Sequence, residues 1–459
     1  MSSTPSPPPP GAREGSLEAP TRHPIEWRDP KFYDHAALEQ ELERVFDICH
    51  GCRRCFSLCN AFPTLFDAVD QAPGGEVAGV DRKVYWEVVD HCYLCDMCFM
   101  TKCPYVPPHP WNVDFPHLML RAKAVRVRDG ALKVSERVLA ATDTVGRLAG
   151  IPVVVELVNA LNRTTAGRVL LEKTLGVDRS APLPTYHARS ARSRLATLGT
   201  TADSGRVNAL EAQQSADTTG RVALFTTCYG NRNAPSLDED LVAVFRHNGI
   251  EVRLLPSERC CGMPRLELGD LEGVARLKLH NIPPLAAAVA AGFDLVAPIP
   301  SCVLMFKQEL PLMYPDDARV LEVAERMFDP FEYLMLRHRA GLLRTDFTQP
   351  LGKVSYHVPC HLRVQNLGLK TREALELVPG TTVEPIERCS GHDGTYGVKQ
   401  RFRAASMKIG RAVMQRVESA HADHYSSDCP MAGRQIESGL SQPREPEHPL
   451  TLLRIAYGL

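Results

Sequence analysis

Eight cysteines between positions 49 and 103 stand at intervals suited to metal chemistry. The first run reads Cys49-His-Gly-Cys52-Arg-Arg-Cys55-Phe-Ser-Leu-Cys59, and the second Cys92-Tyr-Leu-Cys95-Asp-Met-Cys98-Phe-Met-Thr-Lys-Cys103-Pro. Three cysteines spaced three residues apart form a compact loop that presents three thiolates to three corners of an iron–sulfur cube, and a fourth just beyond completes the ligand set. Structural zinc takes four ligands, usually as two separated Cys-x-x-Cys pairs, and has no use for the third closely spaced cysteine of each run. A disulfide framework is not expected either. The chain is far larger than the small secreted domains that need such staples, and no signal-peptide pattern precedes these cysteines.

In two-cluster ferredoxins the fourth cysteine of each run serves the other cluster. The expected sets are therefore Cys49, Cys52 and Cys55 with Cys103, and Cys92, Cys95 and Cys98 with Cys59, each holding a 4Fe-4S cluster. The runs are a repeat, since Cys49, Cys52 and Cys55 each recur 43 residues later, with one extra residue before Cys103.

The other seven of the fifteen cysteines fall in the second half of the chain, again with regular spacing. Cys228 to Cys360 is 132 residues, Cys260 to Cys389 is 129 and Cys302 to Cys429 is 127, which marks residues 220 to 440 as a duplicated unit. Short apolar runs precede the cysteines: Val222–Phe225 before Cys228, Ile250–Leu255 before Cys260-Cys261-Gly262, and Leu295–Ile299 before Cys302. Val354–His357 precedes Cys360, Val383–Ile386 precedes Cys389-Ser390-Gly391, and a short polar strand precedes Cys429. Amphipathic stretches at Leu237–His247, Leu271–Ala291, Glu373–Leu377 and Ala404–Ala420 alternate with them, the pattern of parallel strands joined by helices. Cysteines after the carboxyl ends of parallel strands gather along one edge of the sheet, where such folds build their sites. The two edges are expected to face each other across a pseudo-twofold axis, with the copies joined by a helical stretch from Asp317 to Leu343.

The elements that position the first eight cysteines are helical. Leu38, Leu42, Val45 and Phe46 recur at helical spacing and deliver Cys49 at a helix end, and Val84–Val89 leads into the second run. The expected fold class is therefore α+β and multidomain: an α-helical ferredoxin-like two-cluster domain followed by a duplicated α/β domain. The expected divisions are a disordered, proline-rich tail at 1–30, the ferredoxin-like domain at 31–127, a helical connector and polar linker at 128–219, the two α/β copies at 220–345 and 346–440, and a tail at 441–459. Val138–Leu161 carries Arg147 and Glu156, with Arg137 just before it, and no strongly basic face, so it is expected to pack between domains rather than on a membrane surface.

Composition narrows the function classes. Lys and Arg total 53 against 54 acidic residues, which gives no basic excess for nucleic acid. The apolar stretches 148–161 and 285–300 are broken by Pro152, Glu156, Gly292 and Asp294, and neither reaches the length of a membrane span. Cysteines used as metal ligands imply a reducing compartment, so a cytoplasmic location is expected, with attachment to the membrane face through partners as a variant of it.

The layout of two cubane motifs followed by two Cys-Cys-Gly domains resembles the iron–sulfur subunits of heterodisulfide reductase, glycolate oxidase, lactate oxidation complexes and anaerobic glycerol-3-phosphate dehydrogenase. The resemblance spans residues 32–440 and is specific at Cys-Pro-Tyr-Val-Pro-Pro-His (103–109), Pro-Ser-Cys-Val-Leu-Met (300–305), His-Val-Pro-Cys-His-Leu-Arg (357–363) and Cys-Ser-Gly-His-Asp-Gly-Thr-Tyr-Gly (389–397). A subgroup encoded beside rubrerythrins is similar too, which implies a rubrerythrin-like redox partner. In heterodisulfide reductases each Cys-Cys-Gly domain supplies five cysteines to a noncubane cluster. Here Met305 and Ala432 stand at the final cysteine positions, and Ser390 at the second place of the second Cys-Cys pair. The first copy keeps Cys228, Cys260, Cys261 and Cys302, enough for a third cluster, while Cys360, Cys389 and Cys429 leave one iron to Ser390, His361, His392 or an exogenous ligand. His50, His91 and His361 each flank a cysteine, and Gly391, Gly394 and Gly397 let the chain turn tightly without the Gly-x-Gly opening of a nucleotide loop.

The chain also shows no dinucleotide fingerprint. The expected function is the electron-transfer subunit of an oxidoreductase complex, relaying electrons between a flavoprotein dehydrogenase or similar partner and a quinone or other acceptor. The alternative is a catalytic reductase acting on a disulfide at a cluster of the duplicated half, and the missing cysteines weigh against it.

Overall fold

Leu38, Leu42, Val45 and Phe46 form the buried face of a helix over His35–Cys52. Asp34 caps it by accepting the Ala37 N–H at 2.7 Å, and Arg53 ends it in the left-handed conformation with its N–H on the Cys49 carbonyl. The computed structural model describes residues 19–101, 103–199 and 213–459. Two units are distinguished: one up to Val134 with Arg265–Leu271, the other Ser135–Pro264 with Glu272–Leu459.

The first unit is helical. Helices Ala61–Gln71, Arg82–His91 and Phe115–Arg128 join His35–Cys52 around an aromatic centre, where Phe46 meets Tyr85 edge-on at 5.0 Å and Phe62 lies 4.7 Å from Phe115. The arm expected to be disordered is ordered from residue 19. Arg22 pairs with Asp96 at 2.7 and 3.0 Å and with Asp114 at 3.0 Å, and Ile25 and Trp27 are buried. Composition hides this, because a few buried contacts and a fork of charged hydrogen bonds suffice to order a short arm. Residues 1–18 of that expectation lie outside the described residues.

The second unit holds two parallel sheets. Strands β1 (Arg221–Leu224), β2 (Glu251–Leu254), β3 (Asp294–Val296) and β4 (Met327–Phe328) are ordered β2-β1-β3-β4, and β5 (Gly352–His357), β6 (Thr381–Ile386) and β7 (His424–Ser427) are ordered β6-β5-β7. The three-stranded order is the same in both copies, as a duplication requires. The stretch expected to be helical from Asp317 to Leu343 contains β4 between helices Ala318–Arg326 and Pro330–Arg339, a two-residue strand too short for any periodicity to reveal. The tail after residue 440 ends in a helix, Pro449–Tyr457, which buries Leu450, Leu453, Ala456 and Tyr457 and joins Asp240 through Arg454 at 2.6 Å.

The connector belongs to the second unit from Ser135 onward. Its helices Thr142–Ala149 and Val154–Arg163 form a bent pair, crossing at 108°. They bury Gly146, Ala149 and Val155 but leave Leu148, Ile151, Val153 and Leu157 exposed, Val153 to 84%. Within this unit one side of each helix is packed and the other is bare. No single helix among the described residues is long and apolar enough to cross a membrane. Of the expected linker, residues 200–212 lie outside the described residues, and at its end the Thr219 N–H and hydroxyl bond Asp294 at 2.7 and 2.9 Å, feeding β1.

Candidate metal centres

In the first unit the cysteines converge by way of unusual backbone turns. Arg53 at φ 53°, Leu94 at φ 55° and Asp96 at φ 60° are left-handed non-glycine residues that swing the two cysteine loops around. Each costs on the order of 1 kcal/mol, and at Asp96 the bidentate Arg22 pair holds the conformation. Burial, and then the neighbouring thiols of Cys103, Cys55 and Cys52, push Cys49 well above the ordinary thiol range. Burial and the thiols of Cys55, Cys92 and Cys59 do the same to Cys98. Cys103 is thus a neighbour of Cys49, while Cys98 has Cys55 of the first run as well as Cys92 and Cys59 beside it. Burial raises Cys103 to about 11 against the opposing N–H groups of Tyr105 and Val106.

Polar groups around these loops include one that spacing did not indicate. Lys123, buried in the helix Phe115–Arg128, gives its ammonium to the carbonyls of Cys92 and, at 3.1 Å, of Glu267, placing a cation beside the second loop. His50 bonds Asp70 at 3.4 Å, and His91 meets Asn60 at 3.1 Å.

In the first copy of the second unit, four thiols form one hydrogen-bonded chain. Cys228 opens a short helix after β1, Cys260 and Cys261 follow β2, and Cys302 lies in the helix Pro300–Leu304 after β3. Hydrogen bonds from Cys228 and Cys261, with Thr142 and the Gly262 N–H behind them, pull Cys260 well below the usual thiol range. Cys228 and Cys261 are driven up by the same contacts. Four neighbouring sulfurs, on the buried Cys260, Cys261 and Cys302 and the half-buried Cys228, make a donor set in which cations can replace protons, so these residues fit an iron–sulfur group.

Two supports of that set also escaped the sequence reading. The Thr142 hydroxyl donates to the sulfurs of Cys228 at 3.3 Å and Cys260 at 3.4 Å, which ties the connector helix to the site. Asn281, 1% exposed, accepts the Arg259 N–H at 2.9 Å and donates to the Cys260 carbonyl at 3.0 Å, clamping the Cys-Cys turn. Thr142 comes from a helix far away in sequence and Asn281 from the middle of a long one, and a single polar residue there carries no spacing signal.

The second copy repeats the layout with different chemistry. Cys360 follows β5, Cys389 follows β6, and Cys429 caps the helix Pro430–Glu437 after β7. Burial raises Cys429 to about 12, opposed by the N–H groups of Ala432 and Met431, with Asp393 and Asp428 as its acidic neighbours. The Gly391 N–H donates to the Cys389 sulfur at 3.3 Å. His357 bridges the strand ends, bonded to Ser427 and the Arg388 carbonyl, each at 3.0 Å, and burial lowers it to about 4. The two copies meet where the Cys302 helix packs on the helix Cys360–Arg363 and Gln365 bonds the Pro300 carbonyl at 3.2 Å. Met305 and Ala432, at the final cysteine positions, are buried apolar residues.

Two parallel sheets sharing one strand order, each with cysteines at one edge, define a protein built on a duplicated cysteine-rich domain. A family model described as a cysteine-rich domain (CCG) matches residues 222–307 and 354–437. A subunit of the anaerobic glycerol-3-phosphate dehydrogenase of Escherichia coli (strain K12) is 30% identical over 303 residues, covering 65% of this chain and 71% of the relative. Lactate utilization protein A of an Exiguobacterium species is 28% identical over 246 residues, 51% of this chain and 95% of the relative. A subunit of the fumarate reductase (CoM/CoB) of Methanothermobacter marburgensis is 26% identical over 228 residues, 48% of this chain and 42% of the relative. The chain belongs to the family of Cys-Cys-Gly domain proteins that includes this glycerol-3-phosphate dehydrogenase subunit.

Proposed function

We propose that this protein is the iron–sulfur electron-transfer subunit of an oxidoreductase complex. The observation that carries the reading is the convergence of thiols: Cys49 with Cys52, Cys55 and Cys103; Cys98 with Cys55, Cys92 and Cys59; and Cys228 with Cys260, Cys261 and Cys302. Cys95, the middle residue of the second loop, completes the second set. The first two sets hold 4Fe-4S clusters and the third set a further cluster; such groups, when bound, accept and release single electrons. The chain's own residues tune them, Lys123 by its charge beside the second loop and Thr142 by hydrogen bonds to sulfur.

The partner is a flavoprotein dehydrogenase or a comparable donor, because the chain offers electron carriers and no dinucleotide loop. The relatives named as dehydrogenase and reductase subunits support this reading. The acceptor is a quinone, reached at the cytoplasmic membrane face through the bare apolar side of the helices Thr142–Ala149 and Val154–Arg163. Anaerobic affinity purification of the full chain, with iron and acid-labile sulfide analysis, tests the reading. Clusters together with a co-purifying dehydrogenase support it, and a protein that carries zinc without sulfide sinks it.

A further inference from the structure

The second copy lacks the second thiol of the Cys-Cys pair, and a buried imidazole stands in the same loop. Ser390, which matches Cys261, is 5% exposed and its hydroxyl accepts the His392 N–H at 3.3 Å, so that oxygen is already engaged. His392 is 8% exposed, and neither of its ring nitrogens has a hydrogen-bond partner. An interior imidazole left unbonded at both nitrogens costs about 1–3 kcal/mol for each group, and a metal ligand has that cost reversed on loading. Beside it lies His361, also 8% exposed, with its Nε2 free of hydrogen bonds and 3.7 Å from the Asp393 carboxylate. Asp393 in turn neighbours Cys429. The three cysteines follow adjacent strands in the order β6-β5-β7, the arrangement that brings the four thiols of the first copy together on β2-β1-β3.

We propose that His392 supplies a nitrogen ligand to an iron–sulfur centre held by the thiolates of Cys360, Cys389 and Cys429, with His361 and Asp393 as positioning residues. The inference rests on the reading of the first copy as an iron–sulfur site and extends it to the second with one imidazole in place of one thiolate. A neutral ring in place of an anion leaves the centre one unit less negative, which moves its potential upward, as histidine ligation does in two-iron centres. The duplicated half then holds two unlike centres, the more oxidising one in the second copy.

The test uses the full chain, purified anaerobically and reconstituted with iron and sulfide, and compared with Cys261→Ser, Cys429→Ser, His392→Ala, His392→Cys and His361→Ala. Cys429→Ser is expected to lose one centre's iron and sulfide, and His392→Ala the same complement. His392→Cys keeps the iron, which shows that the fold survives, but loses the strongly coupled nitrogen signal that pulsed paramagnetic resonance detects in the wild-type chain. His361→Ala retains both iron and nitrogen signal. Iron content unchanged by Cys429→Ser, a nitrogen signal that survives in His392→Cys, or zinc without sulfide at this site overturns the inference. If Cys261→Ser also leaves the iron unchanged, the reading of the first copy falls with it; if Cys261→Ser costs a cluster and Cys429→Ser does not, only the second-copy centre is refuted.

Discussion

The two Cys-Cys-Gly copies share strand order, cysteine placement and a glycine after the paired position, yet they solve the same packing problem in opposite ways. Gly262 has φ 109°, and a β-carbon there would find nothing nearer than Met305 at 3.6 Å. Its counterpart Gly391 has φ 74°, and a β-carbon would sit 2.1 Å from the Ser406 carbonyl oxygen. The first copy has room around its turn and spends its polar groups on the cysteines, through Thr142 and Asn281. The second has its turn pressed against the helix Gln400–Ser419, with the Ser406 hydroxyl on the Gly391 carbonyl at 2.7 Å, and leaves the His392 ring beside it without a hydrogen bond. The paired cysteines are thus complete in the copy whose turn glycine has room around it, and one is replaced by Ser390 in the copy whose turn glycine is pressed against a helix.

The largest effect that sharpens this contrast is on metal content. Cys261→Ser should remove the whole cluster of the first copy, read as iron and sulfide per chain. Cys389→Ser should remove a centre that a chelator strips from the wild type faster than any other. Equal chelation rates for the two copies would show that they are equivalent.

Acid should separate the copies next. His357 and His448 are buried in or against the second copy and held near a pKa of about 4, below the ordinary 6.5, because burial disfavours the charged ring. The folded form therefore binds fewer protons than the unfolded one, and the stabilisation is complete above about 6.5 and lost as pH falls toward about 4. Each histidine contributes up to about 3 kcal/mol across that window. Hydrogen exchange should show β5–β7 opening before β1–β4 as pH drops from about 7 to about 5, inside that window, and simultaneous opening of both sheets would contradict the placement of these rings.

The glycines give a third test. Gly391→Ala meets both strain and a backbone clash and should destabilise the second copy by about 3 kcal/mol or more, whereas Gly262→Ala meets backbone strain alone, about 1–2 kcal/mol. Thermal melts of the two variants measure the gap, and equal losses would remove the packing distinction drawn above. The smallest effect is that of Thr142→Val. The shape is retained while a donor to two sulfurs is lost, so iron content should hold and the potential of the first-copy cluster should fall, by redox titration. An unchanged potential would leave Thr142 a packing residue only.

Much of this architecture was readable because its parts announce themselves locally. The runs ending at Cys228, Cys302 and Cys360 are apolar, short and followed by a cysteine, and the matched offsets mark a repeat without any knowledge of three dimensions. Lys123, Thr142 and Asn281 were not readable, since each reaches its site from a separate helix and nothing near it in sequence requires it. The helix Pro449–Tyr457 left a signal that was passed over: His448 caps it, Pro449 opens it, and Leu450, Leu453 and Tyr457 follow at helical spacing. The apolar face at Leu148–Leu157 was legible as a stripe but not its covering, because an apolar stripe reads the same whatever lies against it.

The carboxyl-terminal helix has a bearing on how the protein is made. It covers the helix Pro235–His247 of the first copy, and the ion pair from Arg454 to Asp240 spans 214 positions of chain. A ribosome delivers residues in order, so the Cys228 pocket emerges long before the element that roofs its neighbouring helix. The surroundings of the Cys228 pocket should therefore be completed only once residues 449–457 have been made.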